Sequence, residues 1–89
     1  MKKISVLGAT GSVGMNTLKL LILSKDLYNV RALTAYNNYK VLAKYTRLLN
    51  SDYAVIGNKK YYKLLKDELS GLKVVCLAGE EGIAEVSKL

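Results

Sequence analysis

The sequence predicts an α/β domain: a parallel sheet of about four strands, in spatial order 3-2-1-4, with helices on both faces. Three observations lead there. Short runs rich in β-branched residues alternate with longer amphipathic runs, the pattern of parallel strands joined by crossover helices. A string of glycines separates the first of these strands from the first helix. With 89 residues, 51% hydrophobic and 24% charged, the chain has room for one small domain and enough apolar material for a core. That excludes a two-lobed enzyme and a disordered tail.

Each element has a local reason. Ile4-Ser5-Val6-Leu7 reads as the first strand, ended by Gly8, and Val13 to about Ser24 as a helix whose leucine-rich face packs on the sheet. Val30 to Ala35 gives a second strand, followed by Asn37-Asn38 as a turn and helix N-cap. In the next helix Val41, Leu42, Tyr45, Leu48 and Leu49 fall on one stripe, and Asn50-Ser51-Asp52 ends it. Tyr53-Ala54-Val55-Ile56 is a third strand and Gly57-Asn58 a turn. Lys59 to Leu69 is a third helix, with Tyr61, Tyr62, Leu65 and Leu69 inward and Ser70-Gly71 as its stop. Lys73 to Leu77 is a fourth strand. Gly79-Glu80-Glu81-Gly82 opens a last helix with acids where its dipole favours them, and Ile83, Val86 and Leu89 trace its apolar side.

Composition narrows the function. The longest apolar run, Leu20-Leu21-Ile22-Leu23, is far short of the roughly 18 residues of a membrane span. Met1-Lys2-Lys3 leads straight into a strand without a signal-peptide pattern, so a cytoplasmic protein is expected. A single cysteine, Cys76, builds no disulfide framework and reads as core, and the absence of histidine removes the commonest metal ligand and general base. The net charge of +7 is uneven: residues 1–66 carry twelve positive and two negative side chains, residues 67–89 two and five. The densest cluster, Lys59-Lys60-Tyr61-Tyr62-Lys63, could grip phosphates and stack bases, or simply form a solvated helix face. No nucleic-acid motif accompanies it, so a basic nucleic-acid module is the weaker reading.

The glycine string carries the most information. In Gly8-Ala9-Thr10-Gly11-Ser12-Val13-Gly14 the first glycine permits a tight strand-to-helix turn, Gly11 a close backbone approach, and Gly14 close packing of helix on sheet. Backbone amides and the positive end of the helix then face an anion, with the Thr10 and Ser12 hydroxyls as donors. The spacing is Gly-x-x-Gly-x-x-Gly in a strand–turn–helix setting, which reads as a Rossmann-like dinucleotide site. NAD-preferring sites usually end the second strand with a carboxylate for the ribose hydroxyls. Thr34-Ala35-Tyr36-Asn37-Asn38 has none, so a 2′-phosphate meets no repulsion and a modest preference for NADPH follows.

The glycine turn also suits aspartate-semialdehyde dehydrogenases, whose first turn is similar. Taken with Thr17-Leu18, Val30-x-Ala32-Leu33-x-Ala35-x-x-Asn38, Leu42-Ala43 and Gly79-x-Glu81-Gly82, however, the chain resembles the 1-deoxy-D-xylulose 5-phosphate reductoisomerase family nearly end to end. The resemblance implies an N-terminal NADPH-binding portion over residues 1–89. It places the pyrophosphate on Thr10, Gly11, Ser12 and Val13 and the adenosine ribose on Tyr36, Asn37 and Asn38. The family often has Gly at position 36, a basic or small residue at 37, and a proline where Asn50-Ser51-Asp52 stands here. The resemblance further implies a phosphorylated sugar substrate, a homodimer, and a divalent metal (Mg or Mn) bound outside this chain. It transfers no catalytic residue to this chain.

Overall fold

The computed structural model describes residues 2–6, 8, 12–24 and 27–89. Four strands, β1 (Lys2–Val6), β2 (Tyr28–Ala35), β3 (Tyr53–Ile56) and β4 (Val75–Ala78), form one parallel sheet. The helices are α1 (Ser12–Leu23), α2 (Tyr39–Leu49), α3 (Tyr62–Glu68, preceded by a single 3-10 turn at Lys59–Tyr61) and α4 (Gly79–Ser87). Asn50 caps α2 in the left-handed conformation at φ 53°, and Gly71, at φ +87°, follows α3. The expected third strand is reproduced to the residue, whereas the fourth begins at Val75 and includes Ala78.

The strand order is 1-2-3-4, not 3-2-1-4: β4 pairs with β3, and β1 lies at an edge of the sheet formed by the described residues. The helices explain why. Leu18 and Leu21 of α1, Leu42, Ala43 and Tyr45 of α2, and Leu65 with Leu69 at the end of α3 share one cluster with Val6, Val30, Leu33, Ala35, Ala54 and Ile56. Three successive helices therefore cover one face. Right-handed crossovers kept on one face carry each new strand one place further in the same direction. A return of β4 to β1 would have required α3 on the other face. Instead α3 is tied to α2, where Arg47 Nη1 donates to the Glu68 carbonyl at 3.0 Å and approaches its carboxylate at 3.8 Å.

The opposite face is smaller. Val86, with Ile83 at its side, packs on Ala32, Val55, Tyr53 and Leu77, so among the described residues α4 covers the sheet there and helices do lie on both faces. Strand alternation assigns the residues, with one exception. Ile4 pairs with Val30 but Ser5 pairs with Ala32, so Arg31 is an extra residue in β2. This bulge puts Val30, Leu33 and Ala35 on the three-helix face and leaves Ala32 and Thr34 for the other. The leucine-rich character of α1 divides: Leu18 and Leu21 are buried, Leu20 and Leu23 exposed. In α2, Leu48 is 49% exposed, and Ala43 and Thr46 take its expected place in the buried stripe. Leu89 is likewise exposed.

Candidate functional site

All four strands run parallel, so the loops after Val6, Ala35, Ile56 and Ala78 emerge along one edge of the sheet, the side on which open α/β sheets bind ligands. At the first of these loops Gly8 adopts φ +68°, a conformation that disfavours any side chain even though a Cβ would meet nothing within 4 Å. Its N–H donates to the Thr34 hydroxyl at 2.8 Å, fixing the start of the turn to β2. The helix following the turn begins at Ser12. Thr10 and Gly11 lie outside the described residues, and Ser12 and Val13 are the first two residues of α1.

The second loop carries Tyr36, Asn37 and Asn38, all exposed. Asn38 caps α2 as its sequence position suggests, its side-chain oxygen accepting from the Val41 N–H at 3.2 Å. The third loop holds the second in place. The Gly57 N–H donates to the Ala35 carbonyl at 2.7 Å and the Asn58 N–H to the Tyr36 carbonyl at 2.8 Å, carrying the β2–β3 ladder past the strand ends. The Asn58 amide nitrogen donates to Asn37 Oδ1 at 2.9 Å. Position 57 admits only glycine without movement, because a Cβ there would fall 2.5 Å from Tyr36 Cδ1. Tyr39 and Tyr61 stack with centroids 5.5 Å apart, joining the two loops from the helix side.

Thr34, Gly57 and Asn58 were not marked as site residues by the sequence. Their signal was present in part: Gly57-Asn58 closes β3 as Tyr36 to Asn38 close β2, and parallel register sets the two loops side by side. The charges around the loops are mainly positive. Lys59 Nζ lies 3.4 Å from Glu81 Oε2, while Lys60 Nζ lies 5.1 Å from the Tyr61 ring centroid. No carboxylate occurs within residues 34–38 or 57–60. A dinucleotide phosphate therefore fits this edge. Among the described residues no three His, Cys, Asp or Glu side chains come together. Cys76 lies on β4, half-buried, and burial pushes its thiol pKa up against a smaller opposing pull from Lys66.

Fold and loop geometry together define a parallel α/β domain of the nucleotide-binding type. Comparison with known proteins then specifies the family. The family model for 1-deoxy-D-xylulose 5-phosphate reductoisomerase matches residues 4–89, and the chain belongs to that family. The reductoisomerase of Wolbachia pipientis subsp. Culex pipiens is 46% identical over 89 residues, covering 100% of this chain and 23% of the relative. That of Porphyromonas gingivalis is 38% identical over 84 residues, covering 94% of this chain and 22% of its own. Among solved structures, the Zymomonas mobilis reductoisomerase in complex with NADPH superposes with a TM-score of 0.94 at 41% identity, covering 97% of this chain and 23% of that one. A DOX-P reductoisomerase in complex with NADPH, fosmidomycin and magnesium gives 0.90 at 26% identity, covering 98% and 22%. The chain thus spans less than a quarter of the length of the relatives it matches.

Proposed function

We propose that residues 1–89 form the NADPH-binding portion of a reductoisomerase acting on 1-deoxy-D-xylulose 5-phosphate, in the non-mevalonate route to isoprenoids. The observation that carries this reading is the convergence, on one sheet edge, of a left-handed Gly8 turn opening α1 and an asparagine loop capping α2. The likeness to an NADPH complex across 97% of the chain supports it. In this reading Thr10, Gly11, Ser12 and Val13 hold the pyrophosphate, and Tyr36, Asn37 and Asn38 hold the adenosine ribose. NADPH supplies the hydride when bound. The chain's own residues fix where it lies, through backbone amides at the turn and side-chain amides at the ribose.

The metal, as Mg or Mn, and the groups that polarise and clamp the phosphorylated sugar belong to a part of the protein that this chain does not supply, so it binds cofactor without catalysing. In this reading the parent enzyme is a homodimer acting in the cytoplasm. Among the described residues no helix is long and apolar enough to cross a membrane. The test is titration of the chain with NADPH and NADH. NADPH binds the more tightly, by a modest factor, and Gly11→Val abolishes both, because a branched side chain occupies the space of the pyrophosphate. Equal or tighter NADH binding would count against the reading. Mixed with deoxyxylulose phosphate and Mg²⁺, the chain leaves NADPH unoxidised; turnover within roughly 100-fold of a full-length relative, a barrier gap of about 2.7 kcal/mol, would place the catalytic groups inside it.

A further inference from the structure

The nucleotide reading leaves open what recognises the extra phosphate of NADPH, since the loop after β2 offers no cation between Thr34 and Tyr39. The fold brings one from another loop. We infer that Asn58 and Lys60, both in the connection after β3, select the 2′-phosphate: Asn58 as the positioning residue that turns the Asn37 amide outward, Lys60 as the cation. This inference rests on the proposed cofactor site and sharpens its specificity.

Hydrogen bonding fixes the amide directions. Asn37 Oδ1 is taken by the Asn58 amide nitrogen at 2.9 Å, so the free side of the Asn37 amide is its N–H₂ group. Asn38 Oδ1 is taken by the Val41 N–H at 3.2 Å, so Asn38 too offers donors. Two neighbouring exposed amides thus present donors, matching a phosphate group whose free oxygens are strong acceptors. Asn58 is used at both ends, because its own Oδ1 accepts from the Lys60 N–H at 3.2 Å. That second bond ties Lys60 to the same residue that orients Asn37.

The charge of Lys60 is available. Among the described residues Arg31, Arg47 and Lys59 are the cations in ion pairs, with Asp52, Glu68 and Glu81. Lys60 is exposed, and its ammonium lies 5.1 Å from the centroid of the Tyr61 ring, which stacks on Tyr39, the residue after Asn38. Lys59 is unsuited to the role: its stem covers Gly79 and its ammonium faces Glu81, at the start of α4.

The experiment compares 2′,5′-ADP with 5′-AMP, which differ in the 2′-phosphate alone, by calorimetric titration of the full chain. The unmodified chain binds 2′,5′-ADP the more tightly. Lys60→Gln weakens 2′,5′-ADP about fivefold to tenfold and leaves 5′-AMP unchanged. Asn58→Asp keeps the oxygen that caps the 3-10 turn but loses the donor to Asn37, whose amide reverses and shows its carbonyl outward. With that variant 5′-AMP binds at least as well as 2′,5′-ADP. Circular dichroism confirms that both variants fold. An unchanged ratio in both, or an equal loss for both nucleotides, overturns the inference while the cofactor site stands, provided Gly11→Val still abolishes binding. Failure of the unmodified chain to bind either nucleotide overturns the cofactor site and the inference together.

Discussion

The two faces of the sheet are unequal. One carries three helices and a cluster running from Val6 to Leu69; the other carries α4, whose Val86 and Ile83, among the described residues, cluster with Ala32, Val55, Tyr53 and Leu77. The larger face supplies the bulk of the apolar burial that holds a domain of this size together. The smaller face stabilises less, yet Thr34 points to it and fixes Gly8. The division separates what makes the chain fold from what shapes the turn.

The largest expected effect tests that division directly. Leu33→Ala, at a fully buried site of the three-helix face, costs about 3 kcal/mol, whereas Val86→Ala on the α4 face costs about 1.5–2 kcal/mol, as read from urea denaturation. Equal losses would show the faces to be energetically alike. Gly82→Ala comes next. A Cβ there would fall 2.9 Å from Leu77 Cβ and 3.0 Å from Val55 Cγ1, pushing α4 off the sheet. Overpacking of about 1–3 kcal/mol is offset by about 1 kcal/mol of improved helix propensity, so a net loss near 1 kcal/mol is expected. A gain in stability would mean that α4 is seated loosely. Thr34→Val removes the acceptor of the Gly8 N–H; because Gly8 is exposed, water partly replaces it and stability falls by about 0.5–1 kcal/mol. NADPH binding weakens with it, since the turn loses its anchor to β2, and unchanged binding would detach the α4 face from the turn.

The smallest effect concerns Cys76. Burial raises its pKa in the folded chain above the unfolded value, so the folded state favours the neutral thiol. The associated stability is fully present below the unfolded pKa of about 8.5 and is lost as pH rises through the folded value. Iodoacetamide should accordingly modify Cys76 more slowly in the folded chain at pH 8 than in urea, and equal rates would contradict the raised pKa.

Much of the fold was legible because it is local. Tyr53–Ile56 stood out as four strand-forming residues between turn signals, and Asn38 as a cap one residue ahead of an amphipathic run. Leu48 was misplaced because α2 buries a stripe centred on Leu42, Tyr45 and Thr46, and the Thr46 hydroxyl escapes its polar cost by donating to the Leu42 carbonyl at 2.7 Å. The strand order was not legible, since it depends on which face receives Leu65 and Leu69, and their spacing suits either. The site divides in the same way. Gly8 to Val13 and Tyr36 to Asn38 form contiguous motifs, whereas Thr34 meets Gly8 across 26 positions and Asn58 meets Asn37 across 21. No periodicity in a single sequence records such pairs.

The 1-2-3-4 order has a consequence for how the chain is made. Every strand pairs with the one that precedes it in the sequence, and strand starts at residues 2, 28, 53 and 75 divide the chain into units of similar length. A ribosome working at about 5–20 residues per second releases one such unit every one to five seconds or so. Each strand after β1 then finds a partner already synthesised. The sheet is laid down in the order of translation, and the edges of β2 and β3 are closed as soon as their neighbours emerge, before they can pair with another chain.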